Sequence, residues 1–76
     1  MTRLPVISSK DLIKFLTKKK GFYHYHTTGS HHVFKNKDGS TSVVIPERRE
    51  LGTGLLLAIL EEIGMTRDEF IQEWYR

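Results

Sequence analysis

The sequence predicts an α+β domain in which a three-stranded antiparallel sheet is covered on one face by two helices, with a short C-terminal helix added. Two segments, residues 12–16 and 55–63, repeat apolar residues at helical spacing. Between them, two glycine-containing turns separate three short runs rich in aromatic and β-branched residues, which favour strands. The predicted order is therefore α-β-β-β-α, followed by the third helix.

The first helix has signals at both ends. Ser8 or Ser9 can cap its N-terminus, and Asp11 lies in its first turn. Gly21 is expected to end the helix in the left-handed conformation common after helix C-termini. The apolar face comprises Leu12, Ile13, Phe15 and Leu16, and the lysines Lys10, Lys14 and Lys18 fall on another face.

Three strands follow, each bounded by turn residues. Residues 22–26 form the first predicted strand, and residues 27–30 form a turn. Residues 31–35 form the second strand, and the Asn-Lys-Asp-Gly sequence at 36–39 is typical of a hairpin turn. Residues 40–45 form the third strand, which a proline closes. Strands joined by tight turns form a meander with one buried face, which the apolar stripes of both long helices must cover.

The C-terminal part predicts two more helices. Residues 52–54 open the second helix and Gly64 stops it. Thr66 and Glu69 are three residues apart and predict a capping box at the start of the third helix. The apolar residues of the two helices are Leu55, Leu56, Ile59, Leu60, Ile63, Phe70, Ile71, Trp74 and Tyr75. We expect Trp74 and Tyr75 to cover the core or to make an oligomer contact.

The predicted arrangement is similar to the double-stranded-RNA-binding fold. A chain of 76 residues makes one small domain with a thin core. We expect residues 1–7 to be a flexible N-terminus and residues 8–76 to be the single folded domain. The absence of cysteine excludes disulfides and thiolate metal sites, and fits a reducing, cytoplasmic location. No hydrophobic run approaches the ~20 residues of a membrane span, and the first residues lack the apolar core of a secretory signal, so no membrane association is expected.

Charge is distributed unevenly along the chain. Residues 1–49 hold ten Lys and Arg against three Asp and Glu, a net charge of +7, and all four histidines. Residues 50–76 hold two basic residues against six acidic residues, a net charge of −4. An anionic partner such as nucleic acid would be drawn to the basic part. Alternatively, the lysines bind no partner and only form the solvated face of a helix. Residues 18–20 lie at the C-terminal end of the first helix, where the helix dipole stabilises positive charges.

A histidine pair directly after a glycine turn is the main candidate for chemistry. His31 can act as a general base toward a ribose 2′-hydroxyl or as a general acid toward a leaving 5′-oxygen, because imidazole exchanges protons near neutral pH. It could also be an ordinary polar strand residue. His32 alternates to the opposite face, where packing or hydrogen bonding behind the site is the expected role. Ser30 could orient His31 or satisfy the turn.

The first strand carries two further histidines and two tyrosines. His24 and His26 are expected to share one face and could ligate a metal ion, but no cysteine or nearby carboxylate completes a tetrahedral set. We therefore expect no metal site and no cofactor. Tyr23 and Tyr25 could stack on unpaired bases. Alternatively, both tyrosines lie in the core or at its rim, which is the more common position for aromatic residues of a half-buried strand.

The chain resembles the HicA family of toxins, small ribonucleases of bacterial and archaeal toxin–antitoxin pairs. The resemblance covers residues 8 to about 71. The matching residues are the helix at 11–16, Gly21-Phe22, Gly29-Ser30-His31-His32, Asp38-Gly39, Val44-Ile45-Pro46, the segment at 50–54, Ile59-Leu60 and Asp68-Glu69-Phe70. The combination of Gly-Ser-His-His with Gly-Phe before it and Glu-Leu-Gly-x-Gly after it is fairly specific.

The resemblance implies metal-independent cleavage of mRNA, His31 as the one catalytic histidine, and a HicB-like antitoxin that covers the active site. Gly29, Ser30 and His32 would support His31. The RNA-binding residues would be Lys35, Lys37, Arg48, Arg49, Lys10, Lys14 and Lys18. The chain departs from the family's pattern in lacking a histidine after Pro46 and basic residues at the start of the second helix. A non-catalytic RNA-binding module and an inactive partner-binding domain are the alternatives.

Overall fold

The first helix, α1, spans Ser9–Lys19 in the computed structural model, which describes residues 3–76. Ser8 caps the helix as predicted, because its hydroxyl accepts a hydrogen bond of 3.1 Å from the Asp11 N–H. Gly21 follows the helix at φ +72°, in the left-handed region that lets the chain turn away. The buried residues of α1 are Ser9, Leu12, Phe15 and Leu16.

Three antiparallel strands form one sheet in the order β1-β2-β3, as predicted. They span Tyr23–Thr28, His31–Lys35 and Ser42–Pro46. The predicted turn at residues 27–30 is too long, because Thr27 and Thr28 pair with β2 and only two residues remain in the turn. Gly29 makes this tight connection possible at φ +57°.

The β2–β3 loop is longer than predicted and delays the start of β3 from residue 40 to Ser42. Its backbone closes through the Asn36 N–H, which donates to the Thr41 carbonyl at 3.0 Å. The Ser40 N–H donates to the Asp38 carboxylate at 2.9 Å. Hydrogen bonds from the side chain and the N–H of Ser40 lower the pKa of the Asp38 carboxyl. Residues 40 and 41 are thus held in the loop by Asn36 and Asp38.

The two faces of the sheet have different surroundings. Phe34, Val43 and Ile45 are buried under the helices, at most 3% exposed. The alternate residues of β2 and β3 point to the other face, which no helix of the described chain covers. We call this side of the sheet the open face. Among its residues, Val44 is 46% exposed.

Two helices complete the fold. Helix α2 spans Thr53–Glu62 and α3 spans Arg67–Trp74. The predicted capping box of α3 is present: the Glu69 N–H donates to the Thr66 hydroxyl and the Thr66 N–H donates to the Glu69 carboxylate. The hydrogen bond from the Thr66 backbone holds the pKa of the Glu69 carboxyl below its usual value. Phe70 of α3 is fully buried in the same core as α1, α2 and the sheet.

The segment before α1 contributes to this core. Ile7 is 4% exposed and its carbonyl accepts from the Leu51 N–H at 2.8 Å, and Leu4 packs at the core's edge. The predicted flexible segment 1–7 therefore includes two residues with core contacts, and its residues 1 and 2 lie outside the described chain. Within residues 3–76, no helix is long and apolar enough to cross a membrane.

Candidate active site

His31 lies on the open face at the first position of β2, directly after the two-residue turn. It pairs with Thr28 on β1 and with Pro46 on β3, so both neighbouring strands fix its backbone. The Glu47 N–H donates to the Ser30 carbonyl at 2.7 Å, which extends this ladder to the turn. The His31 side chain is exposed and forms no hydrogen bond or ion pair within the described residues. The imidazole is therefore exposed on a backbone that two strands fix.

His32 lies on the opposite side of the sheet, as strand alternation predicts. Its Nδ1 is 2.9 Å from the Thr27 hydroxyl, and that hydroxyl is 2.6 Å from Nε2 of His24. Its Nε2 is 3.6 Å from the Glu47 carboxylate, which makes an ion pair when the ring is protonated. These contacts hold the His32 ring behind the strand that carries His31.

A β-bulge in β1 separates the two histidines that we expected on one face. His24 pairs with Phe34, but His26 pairs with Val33, so Tyr25 is an extra residue in the ladder. The expectation that His24 and His26 share a face is therefore wrong: His24 lies on the helix side and His26 on the open face. A bulge shifts the alternation by one residue, and nothing in the sequence Tyr-His-Tyr-His marks it. Residues 3–76 contain no group of three His, Cys, Asp or Glu that could hold a metal ion.

The two tyrosines of β1 are on the surface and not in the core. Tyr23 and Tyr25 are 46% and 54% exposed. The Lys35 ammonium lies 4.1 Å from the centre of the Tyr25 ring, in a cation–π contact. The Tyr25 and His26 rings are 5.4 Å apart, edge to face. The open face thus carries two tyrosine rings, two imidazoles and one lysine.

The predicted cations divide into separate groups. Lys10, Arg48 and Arg49 line a groove of about 690 Å³ together with His32 and Glu47. The groove lies at the same end of the sheet as His31 but on the helix side, opposite the open face. Lys14 and Lys18 line a smaller groove of about 210 Å³ beside Phe15 and Trp74. Lys35 lies at the far end of β2, about 13 Å along the strand from His31. Lys37 is exposed in the β2–β3 loop.

Ser9, predicted only as a possible helix cap, fixes the backbone at the first arginine of the pair. The Ser9 hydroxyl donates to the Arg48 carbonyl at 2.7 Å and accepts from the Arg48 N–H at 2.6 Å. The Ser9 N–H donates to the same carbonyl at 3.0 Å. Ser9 is 3% exposed, so this contact is buried at the start of α1. It ties the arginine segment to the helix, and no local sequence signal predicts a contact across 39 residues.

A family model for the HicA toxin of bacterial toxin–antitoxin systems matches residues 9–65, which is 57 of the 76 residues. The chain belongs to the HicA toxin family. HicA membership makes it a toxin of a toxin–antitoxin system and implies an antitoxin as its partner. No curated protein and no solved structure is similar enough to count as a match.

The HicA match includes the turn with His31 and the arginine segment, and it ends before α3. In this HicA chain the start of α2 has a glycine cap and no side-chain cap hydrogen bond. As the sequence predicts, the first turn of α2 has no basic residue. The cations of the groove beside His32 come instead from α1 and from the segment after β3.

Proposed function

We propose that this HicA toxin is an mRNA endoribonuclease in which His31 transfers the proton and no metal ion takes part. The observation that carries the proposal is the geometry of His31, an exposed imidazole on a backbone held by two strands and a two-residue turn. A proton-transfer residue must meet its substrate at hydrogen-bond distance, and a fixed backbone favours that alignment. Both ring nitrogens of His31 are open to a substrate on this face.

The reaction is an attack of the ribose 2′-oxygen on the adjacent phosphorus, with departure of the 5′-oxygen of the next nucleotide. A neutral imidazole accepts the 2′-hydroxyl proton, or an imidazolium donates a proton to the leaving oxygen, and such transfer contributes about 10²–10⁴-fold to the rate. A nearby Lys or Arg would stabilise the charge that develops on the phosphate oxygens. Lys10, Arg48 and Arg49 would reach the phosphates around the His31 end of the sheet, because their groove opens there on the His32 side.

The proposed RNA path follows from the positions of the cations. The phosphates on one side of the cleaved bond would contact Arg48 and Arg49, in the segment whose backbone the buried Ser9 contact fixes at Arg48. The RNA would continue across the open face toward Lys35, whose ammonium lies beside Tyr25. Unpaired bases can stack on exposed tyrosine rings, whereas the bases of a duplex cannot. Lys37, Lys14 and Lys18 would extend the positive field outward.

Neutralising the arginine pair should weaken RNA binding and flatten its salt dependence. Each phosphate contact releases counterions, so an Arg48→Gln/Arg49→Gln protein should lose about 0.7 from the slope of log K against log salt for each contact removed. The measurement is a titration of labelled single-stranded RNA at several salt concentrations. The control is Arg67→Gln/Arg76→Gln, which removes the same charge from the acidic C-terminal part. An unchanged slope in the Arg48/Arg49 variant would place the RNA on another surface.

RNA cleavage should persist in EDTA, because proton transfer by an imidazole requires no metal ion. The test incubates purified protein with labelled RNA in EDTA, in buffer, and in buffer with each of several divalent ions. We expect equal cleavage rates with and without EDTA. Loss of cleavage in EDTA together with recovery in one particular ion would contradict the metal-independent mechanism. Intact RNA in every condition, with binding retained, would identify a non-catalytic RNA-binding module.

The antitoxin, by the same proposal, is a HicB-like protein that covers the open face. It would offer carboxylates to the basic residues, which speeds encounter and sets orientation. Burial of Tyr23, Tyr25 and Val44, each 46–54% exposed, would supply much of the affinity. Antitoxin and RNA would then compete for one surface. A saturating antitoxin that leaves the RNA affinity unchanged would exclude occlusion and would point to inhibition at a distance.

A further inference from the structure

We infer that His26 is a second proton-transfer residue, paired with His31 on the open face. The inference rests on the proposed function, because it concerns the same RNA cleavage. Phosphodiester cleavage needs one group to take a proton from the 2′-hydroxyl and another to give one to the leaving oxygen. A single histidine can do only one of these in a given step. The β-bulge at Tyr25 brings a second imidazole to the face that carries the first.

The register of the sheet fixes the relation between the two histidines. His31 pairs with Thr28, and His26 pairs with Val33, which is two residues beyond His31 on the same strand. The two histidines are therefore diagonal neighbours on one face. The typical separation between the backbone positions of such neighbours is roughly 7–8 Å. Imidazole side chains carried at that backbone separation can turn toward one phosphate group bound between them. Both side chains are exposed, so both can reach a bound strand.

Thr28 orients the His26 ring. Its hydroxyl lies 3.1 Å from Nε2 of His26, and its backbone is paired with His31. This contact engages one nitrogen of His26 and leaves Nδ1 for a substrate. The edge-to-face contact with Tyr25 restrains the ring further. His26 is thus held on the side of His31 that leads along the sheet toward Lys35.

The surroundings suit an anion between the two rings. Within the three strands, the other titratable groups of the open face are Tyr23, Tyr25 and Lys35. No carboxylate belongs to this set, and no helix of the described residues packs against it. The remaining histidines lie on the other side of the sheet, where His24 contacts Phe34 and His32 contacts Thr27. They cannot reach a phosphate on the open face.

The two histidines share the step as base and acid. One neutral imidazole takes the 2′-hydroxyl proton, and the 2′-oxygen forms a bond to phosphorus. The bond from phosphorus to the 5′-oxygen breaks, and the second ring, as imidazolium, gives that oxygen its proton. The products are a 2′,3′-cyclic phosphate and a 5′-hydroxyl. The two imidazoles end in exchanged protonation states, which water restores, and no electron leaves or enters.

The test compares His26→Ala, His26→Gln and the matched control His24→Ala, which removes an imidazole two residues away on the opposite face. Circular dichroism checks that each variant is folded, and His26→Gln retains a polar partner for Thr28. We expect both His26 variants to cleave a single-stranded RNA about 10²–10⁴-fold more slowly than wild type. His24→Ala should stay within about threefold of wild type. The bell-shaped dependence of rate on pH should lose one limb in the His26 variants.

A sulfur-substituted RNA separates a proton donor from a structural residue. When the leaving 5′-oxygen at the mapped cleavage site is replaced by sulfur, the thiolate departs without needing a proton. This substrate should restore the rate of either His26→Ala or His31→Ala, whichever lacks the acid, and not of the other. Rescue of both or of neither, or wild-type rates in the His26 variants, would overturn the inference. The proposed function fails separately, if wild-type protein leaves RNA intact or if His31→Ala cleaves normally.

Discussion

Replacing His31 with alanine should reduce RNA cleavage by at least about a hundredfold and should relieve inhibition of growth. The expectation follows from the loss of an exposed imidazole whose backbone is held by β1 and β3. Because the side chain has no partner within residues 3–76, its removal should cost little free energy of unfolding. The measurements are the cleavage rate of labelled RNA by purified protein and the growth of cells that express the variant.

The same assays on His24→Ala provide the control, since that histidine lies on the helix side of the sheet. RNA affinity of His31→Ala should remain near the wild-type value, because the cations are unchanged. This separates a defect in chemistry from a defect in binding. A folded His31→Ala protein that cleaves RNA at the wild-type rate would remove His31 from the mechanism.

Replacing Phe70 with alanine should destabilise the domain severely. Phe70 is fully buried, its ring lies 5.0 Å from Phe15 in an edge contact and 5.5 Å from Trp74 in a stacked contact. Truncation of such a phenylalanine costs about 3–5 kcal/mol. A domain of this size has a total stability of about 4–11 kcal/mol. The substitution therefore removes much or all of the free energy that keeps the protein folded.

Urea unfolding followed by circular dichroism and by the fluorescence of Trp74 measures the change. Phe70→Leu keeps an apolar side chain of intermediate size and should cost less than the alanine variant, so it reports on the site even if the alanine variant does not fold. Leu57→Ala on α2 is the control, because Leu57 is 39% exposed and should change the stability by well under about 1 kcal/mol. A Phe70→Ala protein with the unfolding midpoint of this control would contradict the assigned packing.

The elements that the sequence predicted well have strong signals at both ends. β2 spans His31–Lys35 as predicted, because a Gly-Ser turn precedes it and a hairpin turn follows it. The cap at Ser8 and the capping box of α3 are confirmed for the same reason, since capping depends on residues close in sequence. Helical periodicity likewise identified Leu12, Phe15 and Leu16 as buried residues of α1. It did not identify Ser9, and Ile13 is only partly buried.

The features that sequence reasoning missed depend on register or on distant contacts. The bulge at Tyr25 is set by how β1 pairs with β2, and it determines which face carries His26. Tyr23 and Tyr25 are aromatic, a residue type common in protein cores, but they are exposed because the helices cover the other face of the sheet. The contact of Ser9 with Arg48 joins two segments 39 residues apart. In each case the sequence shows the residue types but does not show which residues they contact in the folded chain.

The packing of Phe70 on Phe15 also sets the time at which the core can close during synthesis. The two rings are 55 residues apart in the chain, and the Lys20 ammonium meets the Glu73 carboxylate at 3.2 Å across a similar interval. At about 5–20 residues per second, a ribosome needs roughly 3–11 s to add the residues that separate them. In the later part of that interval, once synthesis has passed the end of β3 at Pro46, α1 and the sheet are present without the helix that completes their core. A nascent toxin is thus incompletely packed for several seconds after its histidines have been synthesised.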